Sequence, residues 1–310
     1  KPIIMMQTAY CHRRMQNNDA ALREFETAYK LYSSDNPQKA NLALFNMAEI
    51  YTETYNHTQA KAMYEKILIS GQASDLAFNA RVLLNLAEIE NNNTNFDKAS
   101  EYYNKALSEA TQADDKSLIC ECCFKYGLAC DDDGDVEMAF KLYLRCVQTS
   151  DNYEINPYIS SASSNIAEIY EEQNQFDKAA KYYEIAAGAD EKQENWEGVY
   201  FSYSKLTTLN NQQKLTDKAA ECSAKALNAA LQLNDDRYIA SAYIQTCNLH
   251  YQTNLNEQAL KAYLSAKECL MKQPNPENIR KIDVRIKNVK ARLGNVLYNQ
   301  ILAQFGRNNG

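Results

Sequence analysis

Histidine is the side chain that most often carries acid–base chemistry in proteins, and this chain has three of them. His12, His57 and His250 lie far apart in the sequence, and none belongs to a recognisable catalytic or metal-binding motif. A nucleophile, a base or a metal must be held within reach of its partners before it can act. The histidines therefore predict no active site, and we expect no catalysis.

The nine cysteines include a group that resembles a metal site, with CECC at residues 120–123 and Cys130 shortly after it. Zinc sites usually combine two spaced pairs of ligands, whereas Cys123 and Cys130 fall on a predicted packing face of a helix. Free cysteine behaves as a small buried hydrophobic residue. We predict reduced core thiols that hold no metal or cofactor. The lack of a disulfide pattern favours a reducing, cytoplasmic compartment.

The segment DDDGDVE, residues 131–137, imitates a calcium loop, which needs alternating carboxylates, then a glycine, then a glutamate. With Gly134 at the glycine position, the first ligand position is Ala129 and the last is Phe140. Neither of these side chains can coordinate calcium. We predict a solvated turn in which Gly134 gives the backbone its freedom.

Composition indicates a helical chain, since 310 residues contain only 8 Gly and 5 Pro while 45% are hydrophobic. A sheet protein would need turn residues every few positions. The net charge of −7 argues against nucleic-acid binding, which favours clustered Lys and Arg. No apolar run approaches the roughly 18 residues of a membrane span. Helical patterning begins close to Lys1, so we expect the sequence to be a segment of a longer protein.

One pattern recurs along the chain: an alanine follows a polar turn, and a larger side chain usually follows it on the same helix face. Successive alanines are 39 or 40 residues apart, which marks an array of equal repeats. The alanines are Ala21, Ala60, Ala99, Ala139, Ala179, Ala219 and Ala259. The larger residues are Phe25, Tyr64, Tyr103, Tyr143, Tyr183 and Tyr263, with Ser223 as the exception.

Each repeat is predicted to be an antiparallel helical hairpin, because another small or compact residue precedes the alanine on an earlier helix and short polar segments such as NNNTN separate the two. Runs such as LAEI and IAEIY in the first helix, the alanine and the aromatic together resemble the tetratricopeptide repeat over about residues 2–270. The period is near 40, against a family norm of about 34, and is similar to kinesin light chains and Rap-type regulators. Longer second helices would account for the difference.

The resemblance implies an all-α solenoid, a superhelix of seven hairpins with a C-terminal capping helix. The solenoid is predicted to cover residues 1–272, with repeats near 2–40, 41–79, 80–119, 120–159, 160–199, 200–239 and 240–272. Residues 273–310 depart from the repeat pattern and are predicted to form an amphipathic capping helix and a tail. Asn275 can cap this helix, and its apolar stripe runs from Ile279 to Val296. The stripe either covers the open end of the solenoid or forms a homodimer seam.

The resemblance also implies a binding site, because the first helices of such solenoids line a concave surface. One position of the first helix, called the slot below, holds Asn46, Asn85 and Asn165. In the family an asparagine there often holds the backbone of an extended peptide, since an amide matches a main-chain N–H and C=O together. The alternative is that these amides bridge adjacent repeats. In the other repeats the slot holds Gln7, Lys125, Lys205 and Gln245.

Acidic residues surround the slot on the same stripe of the first helices. Each slot asparagine is followed by a glutamate on that stripe, namely Glu49, Glu88 and Glu168. Further acids are Glu53, Glu121, Asp131, Asp132, Glu171 and Glu172. Against these nine acids stand Arg81 and Lys125 in repeats two to five, a balance of −7 that predicts a net basic partner. The alternative is a merely solvated acidic face.

Together these features predict a non-catalytic scaffold that binds a protein or an extended peptide. The candidate site combines the three asparagines and their glutamates with Lys125, Glu53, Asp132 and Glu172. The alternative function is the peptide-sensing domain of a signalling or transcriptional regulator whose effector domain lies outside this sequence. Neither nucleic acid nor membrane is expected as a partner.

Overall fold

The computed structural model of the chain describes residues 2–70, 75–149, 156–272 and 276–308, and every regular element in these ranges is an α-helix. The chain divides into two compact units, an N-terminal unit of Lys1–Asp151 and a C-terminal unit of Asn152–Gly310. Among the helices of the described ranges, none is both long and apolar enough to cross a membrane. Asn275, the predicted cap of the C-terminal helix, lies outside the described residues.

Each unit contains eight described helices. The N-terminal unit holds α1 (Pro2–Arg14), α2 (Asn18–Tyr32), α3 (Pro37–Glu53), α4 (His57–Ile69), α5 (Leu76–Asn92), α6 (Phe96–Gln112), α7 (Lys116–Asp132) and α8 (Val136–Thr149). The C-terminal unit holds α9 (Pro157–Glu172), α10 (Phe176–Lys192), α11 (Trp196–Gln212), α12 (Thr216–Leu233), α13 (Asp236–Gln252), α14 (Asn256–Lys272), α15 (Pro276–Leu293) and α16 (Asn295–Asn308). Within each unit, successive helices pack as stacked hairpins, which confirms the predicted all-α solenoid class.

A turn of three residues joins the two helices of each of the seven predicted hairpins. The middle residue is left-handed in every case, with φ between 58° and 87°, and Gly134 is the glycine of this series, as predicted. The third residue donates its N–H to a carbonyl of the last helical turn, as Asn56 does to Tyr51 at 2.7 Å. This pattern satisfies carbonyls that the helix end would otherwise leave without partners.

From the second repeat on, the predicted repeat boundaries fall inside the first helices, which begin three or four residues earlier. α5 begins at Leu76 where a boundary was predicted at residue 80, and α7 begins at Lys116 rather than at the CECC segment. The reason is N-capping: Asp75 and Asp115 accept hydrogen bonds from backbone N–H groups of the first helical turn. The two helices of the third hairpin are equal in length, since α5 and α6 have 17 residues each.

The alanines and aromatics of the repeat form the core of each hairpin. All seven alanines are fully buried, and so are the aromatics four residues after them. In the sixth hairpin, Ser223 is buried instead and shares a hydrogen bond of 2.7 Å with the hydroxyl of Thr246. Small residues on one helix let the backbone of the other approach closely, so this pattern sets the spacing of the pair.

The cysteines pack in the core as apolar groups. Cys120, Cys122, Cys123, Cys130 and Cys146 are buried, and all nine cysteines are free thiols. Burial raises the pKa of Cys122 and Cys123 to about 12, which keeps both protonated at neutral pH. Within the described residues, no group of three or more His, Cys, Asp or Glu side chains could hold a metal ion.

The C-terminal segment forms two helices where one was predicted. Gly294, with φ of +79°, ends α15 and lies 40 residues after Asn254, the left-handed turn residue of the preceding hairpin. α15 packs on α14 through buried Ile282, Ile286 and Val289, so it continues the stack and covers the last hairpin. Val296, predicted to continue this stripe, lies on α16 instead and is 75% exposed.

We expect Gly127→Ala to destabilise the chain by about 1–3 kcal/mol, although alanine occupies the same position in several other repeats. A Cβ at Gly127 would lie 2.6 Å from the ring of Tyr143, so the two helices would have to separate. The matched control is Gly188→Ala in α10, where a Cβ meets nothing within 4 Å. Helix propensity should make this control neutral or stabilising by about 0.5–1 kcal/mol. Urea unfolding of both variants measures the difference, and equal stabilities would contradict the packing argument.

Candidate functional site

The slot residues connect neighbouring first helices within each unit. Five of them, counting Arg285 on α15, contact the residue three positions after the slot on the preceding first helix, and we call this series the slot ladder. In the N-terminal unit, Asn46 donates to the Tyr10 hydroxyl at 3.2 Å, and Lys125 lies 3.0 Å from Glu88. In the C-terminal unit the pairs are Lys205 with Glu168 at 3.2 Å, Gln245 with Thr208 at 3.4 Å, and Arg285 with Asn248 at 2.6 Å.

Asn46 is committed to this internal bridging. Its side chain is only 5% exposed and donates to the carbonyl of Leu42 at 2.7 Å as well as to Tyr10. Its oxygen accepts from Arg13 at 3.4 Å. An amide has two donor hydrogens and one acceptor oxygen, so little capacity remains for a peptide backbone. At this position the bridging alternative describes the structure better than peptide holding.

Two of the three glutamates beside the slot, Glu49 and Glu168, pair with cations that the balance of −7 leaves out. Arg13 of α1 contacts Glu49 and Glu53 of α3, each at 2.6 Å. Lys205 of α11 lies 3.2 Å from Glu168 and 3.8 Å from Glu171 on α9. The balance of −7 therefore overstates the negative charge of the face, because these partners lie about one repeat away along the chain.

Lys125 shows how strongly such a pair is held. Its ammonium group lies 3.0 Å from Glu88 and 3.2 Å from Glu121. Burial by itself would lower the pKa of Lys125, but the two glutamates outweigh burial and raise it. The lysine therefore stays charged and neutralises part of the acidic stripe of the N-terminal unit.

The remaining predicted site residues have freer side chains. Asn85 and Asn165 are half-buried, and no hydrogen bond of either side chain is formed with the described residues. Asp132 and Glu172 are exposed at the C-terminal ends of α7 and α9. The N-terminal unit thus holds Asn85 and Asp132, and the C-terminal unit holds Asn165 and Glu172.

Two adjoining cavities open on the first-helix face of the C-terminal unit. The first lies between α9 and α11, has a volume of about 540 Å³, and is lined by Asn165 and Glu168 among others. The second lies between α11 and α13 and has a volume of about 390 Å³. Phe201 and Lys205 line both of them, so the cavities form one groove. Phe201 is 51% exposed and lies between the two cavities.

The second cavity contains polar atoms without partners. The hydroxyl oxygen of Ser204 and the Oε1 atom of Gln245 are buried, and neither makes a hydrogen bond within the described residues. Both residues line this cavity. A buried polar atom without a partner costs free energy, so a ligand that offers donors would find favourable positions here.

Two buried carboxylates in the chain have opposite surroundings. Glu90 of α5 is 1% exposed and contacts Lys61 at 2.5 Å and Lys98 at 3.6 Å. Burial would raise the pKa of Glu90, but these lysines and Asn95 lower it overall. Asp190 of α10 is 2% exposed and receives only neutral donors, so burial raises its pKa. Asp190 also lines the cavity between α9 and α11.

Sequence reasoning missed Arg13, Phe201, Ser204 and Asp190 as residues of interest. Arg285 was a further slot residue, and its distance of 40 residues from Gln245 was a usable signal. The signal for Asp190 was its charge, because the corresponding positions of the other hairpins hold uncharged residues: Tyr32, Gly71, Ala110, Ser150, Ala230 and Leu270.

Family comparison agrees with the stacked hairpins. Models described as tetratricopeptide repeat match residues 42–69, 80–112 and 162–195. The chain is a tetratricopeptide repeat protein. The three matched segments fall within the second, third and fifth hairpins of this tetratricopeptide repeat protein. A comparison of the sequence with curated proteins gives no match.

Solved structures share the fold of this tetratricopeptide repeat protein. The C-terminal part of a TPR repeat-containing protein from Cytophaga hutchinsonii is 13% identical, with a TM-score of 0.63 over 89% of this chain and 98% of that one. A signal transduction ATPase with a tetratricopeptide repeat sensor, from Pyrococcus horikoshii, is 17% identical, with a TM-score of 0.59 over 99% and 47%. The apo quorum sensor NprR from B. thuringiensis is 14% identical, with a TM-score of 0.54 over 93% and 87%.

We expect a double-mutant cycle on Lys125→Met and Glu88→Gln to give a coupling energy of about 0.5–1 kcal/mol, because the pair is partly shielded from solvent. The coupling should fall as salt rises, since ions screen charges that solvent still reaches. Urea unfolding at low and high salt measures it. The control cycle is Lys141→Met with Glu137→Gln, a more exposed pair in the same unit that should give a smaller coupling. A control coupling as large as that of Lys125 would count against the slot ladder as a stabilising feature.

Proposed function

We propose that this tetratricopeptide repeat protein is a non-catalytic scaffold that binds an extended segment of a partner protein along the first-helix face of its C-terminal unit. The observation that carries the proposal is the groove formed by the two cavities that share Phe201 and Lys205. A cleft of several hundred Å³ with a few convergent polar groups is the usual form of a ligand site. The free cysteines agree with a reducing compartment such as the cytoplasm.

The polar groups of the groove suit a peptide backbone. Ser204 and Gln245 each present a buried oxygen without a partner, and Asn165 presents a half-buried amide. These groups can pair with main-chain N–H and C=O groups without selecting side chains. Phe201 and Ile244 line the second cavity and offer apolar contact to one side chain of the segment. In this proposal the groove holds the segment by hydrogen bonds to its backbone and by one small apolar anchor.

The preference for a basic segment is kept as part of the proposal, but it is confined to one end of the groove. The lining of the cavity between α9 and α11 includes two acids, Glu168 and Asp190, and one lysine, Lys205. Toward α15 the lining becomes basic, because a third cavity of about 220 Å³ between α13 and α15 includes Arg237 and Arg285. A segment that is basic at one end and acidic at the other matches this polarity.

In the N-terminal unit the predicted site is kept as a second contact surface for the same class of partner. Asn85 supplies the free amide there, and Asp132 supplies an exposed acid. Asn46 is left out of this surface because it bridges α1 and α3. Glu88 and Lys125 contribute as an ion pair rather than as two independent charges.

A second candidate function is that of a sensor within a larger regulator. It is favoured by the fold shared with an ATPase chain that carries a tetratricopeptide repeat sensor, of which this chain covers 47%, and by the fold shared with a quorum sensor. An effector domain next to this segment in the full open reading frame would support that function.

A homodimer through the C-terminal segment is also proposed. It would form through α16, since the apolar stripe of α15 is buried within the chain.

We expect Phe201→Ala to weaken binding of selected peptides by about tenfold or more, because a central aromatic anchor carries much of the energy of such an interface. The peptides are selected from a random library displayed on phage, and their affinities are measured by fluorescence anisotropy. The control is Leu231→Ala on α12, a second helix, where the side chain is similarly exposed at 49%. The affinity of Leu231→Ala for the selected peptides should match that of wild type. The melting temperatures of both variants should also match that of wild type. Selected peptides that bind both variants equally well would place the site elsewhere.

A further inference from the structure

The junction between α10 and α11 combines a charged residue and a glycine at two positions where neighbouring repeats carry neither. α10 carries Asp190 where α6 and α12 carry Ala110 and Ala230. α11 carries Gly198 where the next first helix, α13, carries Tyr238. A small residue beside a large one has therefore been replaced by a carboxylate beside a glycine. Positions where one repeat breaks the rule of its neighbours are where function is expected.

Gly198 makes the space that the carboxylate occupies. A Cβ at Gly198 would lie 2.1 Å from the Oδ2 atom of Asp190, so no other residue fits there without displacing the acid. Ser160 of α9 donates its hydroxyl to Oδ2 at 2.5 Å, and Asn195 donates its amide to Oδ1 at 2.8 Å. The acid is thus held in a fixed position by two neutral donors.

The charge of Asp190 has no counter-ion within the described residues. Buried carboxylates are normally paired with a cation, and Glu90 in this chain follows that rule with Lys61 and Lys98. Burial raises the pKa of Asp190, and the hydrogen bonds from Ser160 and Asn195 only partly offset it. Burial disfavours the ionised form of this carboxyl, and a cation that arrives from outside would favour it.

The cavity gives such a cation a route. Asp190 and Gly198 line the space of about 540 Å³ between α9 and α11, together with Asn165 and Glu168. Glu168 at this cavity is half exposed and already paired with Lys205, so it acts as a rim charge. The volume admits a long side chain, and the buried acid lies where the head group of that side chain would be desolvated. Ion pairs that lose water on both sides give the largest selectivity.

We propose that Asp190 is the specificity-determining residue of the groove, and that the cavity between α9 and α11 takes one lysine or arginine side chain of the bound segment. This inference rests on the proposed function, since it names the side chain that the groove selects. The cation pairs with the carboxylate, while Ser160 and Asn195 keep their hydrogen bonds to it. A neutral side chain of the same shape leaves the buried charge without a partner and binds weakly.

The test uses pools of short peptides in which one position is fixed as arginine, lysine, citrulline or norleucine. The fixed position is moved along the peptide. At the position whose side chain enters the cavity, wild type should bind the arginine pool about 30-fold or more tightly than the citrulline pool, or the lysine pool about 30-fold or more tightly than the norleucine pool. Asp190→Asn keeps the size of the side chain; its amide oxygen can still accept from Asn195, and its NH2 group can donate to the Ser160 hydroxyl, which rotates to accept. On this variant the ratio should fall close to one. The matched control is Glu168→Gln in the same cavity, which should change the ratio only a few-fold because its charge is exposed and paired. An equal ratio on wild type and Asp190→Asn overturns the inference and leaves peptide binding intact.

A second measurement separates this inference from the proposed function and needs no peptide. Millimolar N-butylguanidinium should raise the melting temperature of wild type at low ionic strength, because a ligand that binds only the folded state stabilises it. Uncharged N-butylurea should not, and neither compound should stabilise Asp190→Asn. Stabilisation of wild type together with the absence of any bound peptide would keep the cation site and reject the peptide groove. If N-butylguanidinium gives wild type no more stability than N-butylurea does, Asp190 is not a cation site, and this comparison holds even if the variant does not fold.

Discussion

The close approach of two helices at one small residue is the constraint on which each hairpin depends. A buried alanine on the second helix and a small residue on the first let the backbones come near, and an aromatic side chain fills the remaining space. Gly127 and Tyr143 show how little tolerance this contact has, because a single added carbon would overlap the ring. Where the aromatic is missing, Ser223 is buried with a hydroxyl partner instead.

Stacking the hairpins also brings the slot of one first helix beside the residue three positions after the slot of the preceding first helix. The slot ladder results, and it uses whichever polar pair the sequence provides: an amide with a hydroxyl, a lysine with a glutamate, or an arginine with an amide. Because these side chains hold one another, the first-helix face is less charged and more rigid than its composition indicates. A rigid face loses little entropy when an extended ligand binds, which favours binding by a groove that is already formed.

The hairpins and their core could be predicted from the sequence because both depend on contacts between residues close along the chain. The helix starts were misplaced, since Asp75 and Asp115 set them by capping rather than by the apolar pattern. The charge of the face was overestimated because Glu49 pairs with Arg13, 36 residues away, and no local pattern reveals such a partner. The site was predicted in part: the free amide of Asn165 lies in the groove, whereas Phe201 gave no periodic signal by which it could be chosen.

Repetition itself separates the residues that build this protein from those available for function. A position that carries the same kind of residue in every hairpin answers the same packing demand each time, as the seven buried alanines do. A position at which a single hairpin carries a buried charge is not explained by packing. Asp190 with Gly198 is such a case, because an alanine beside a larger side chain would meet the packing demand without burying a charge. The cavity beside this pair and the groove that continues from it lie in the same unit, so the departure from the repeat and the open space occur at one place.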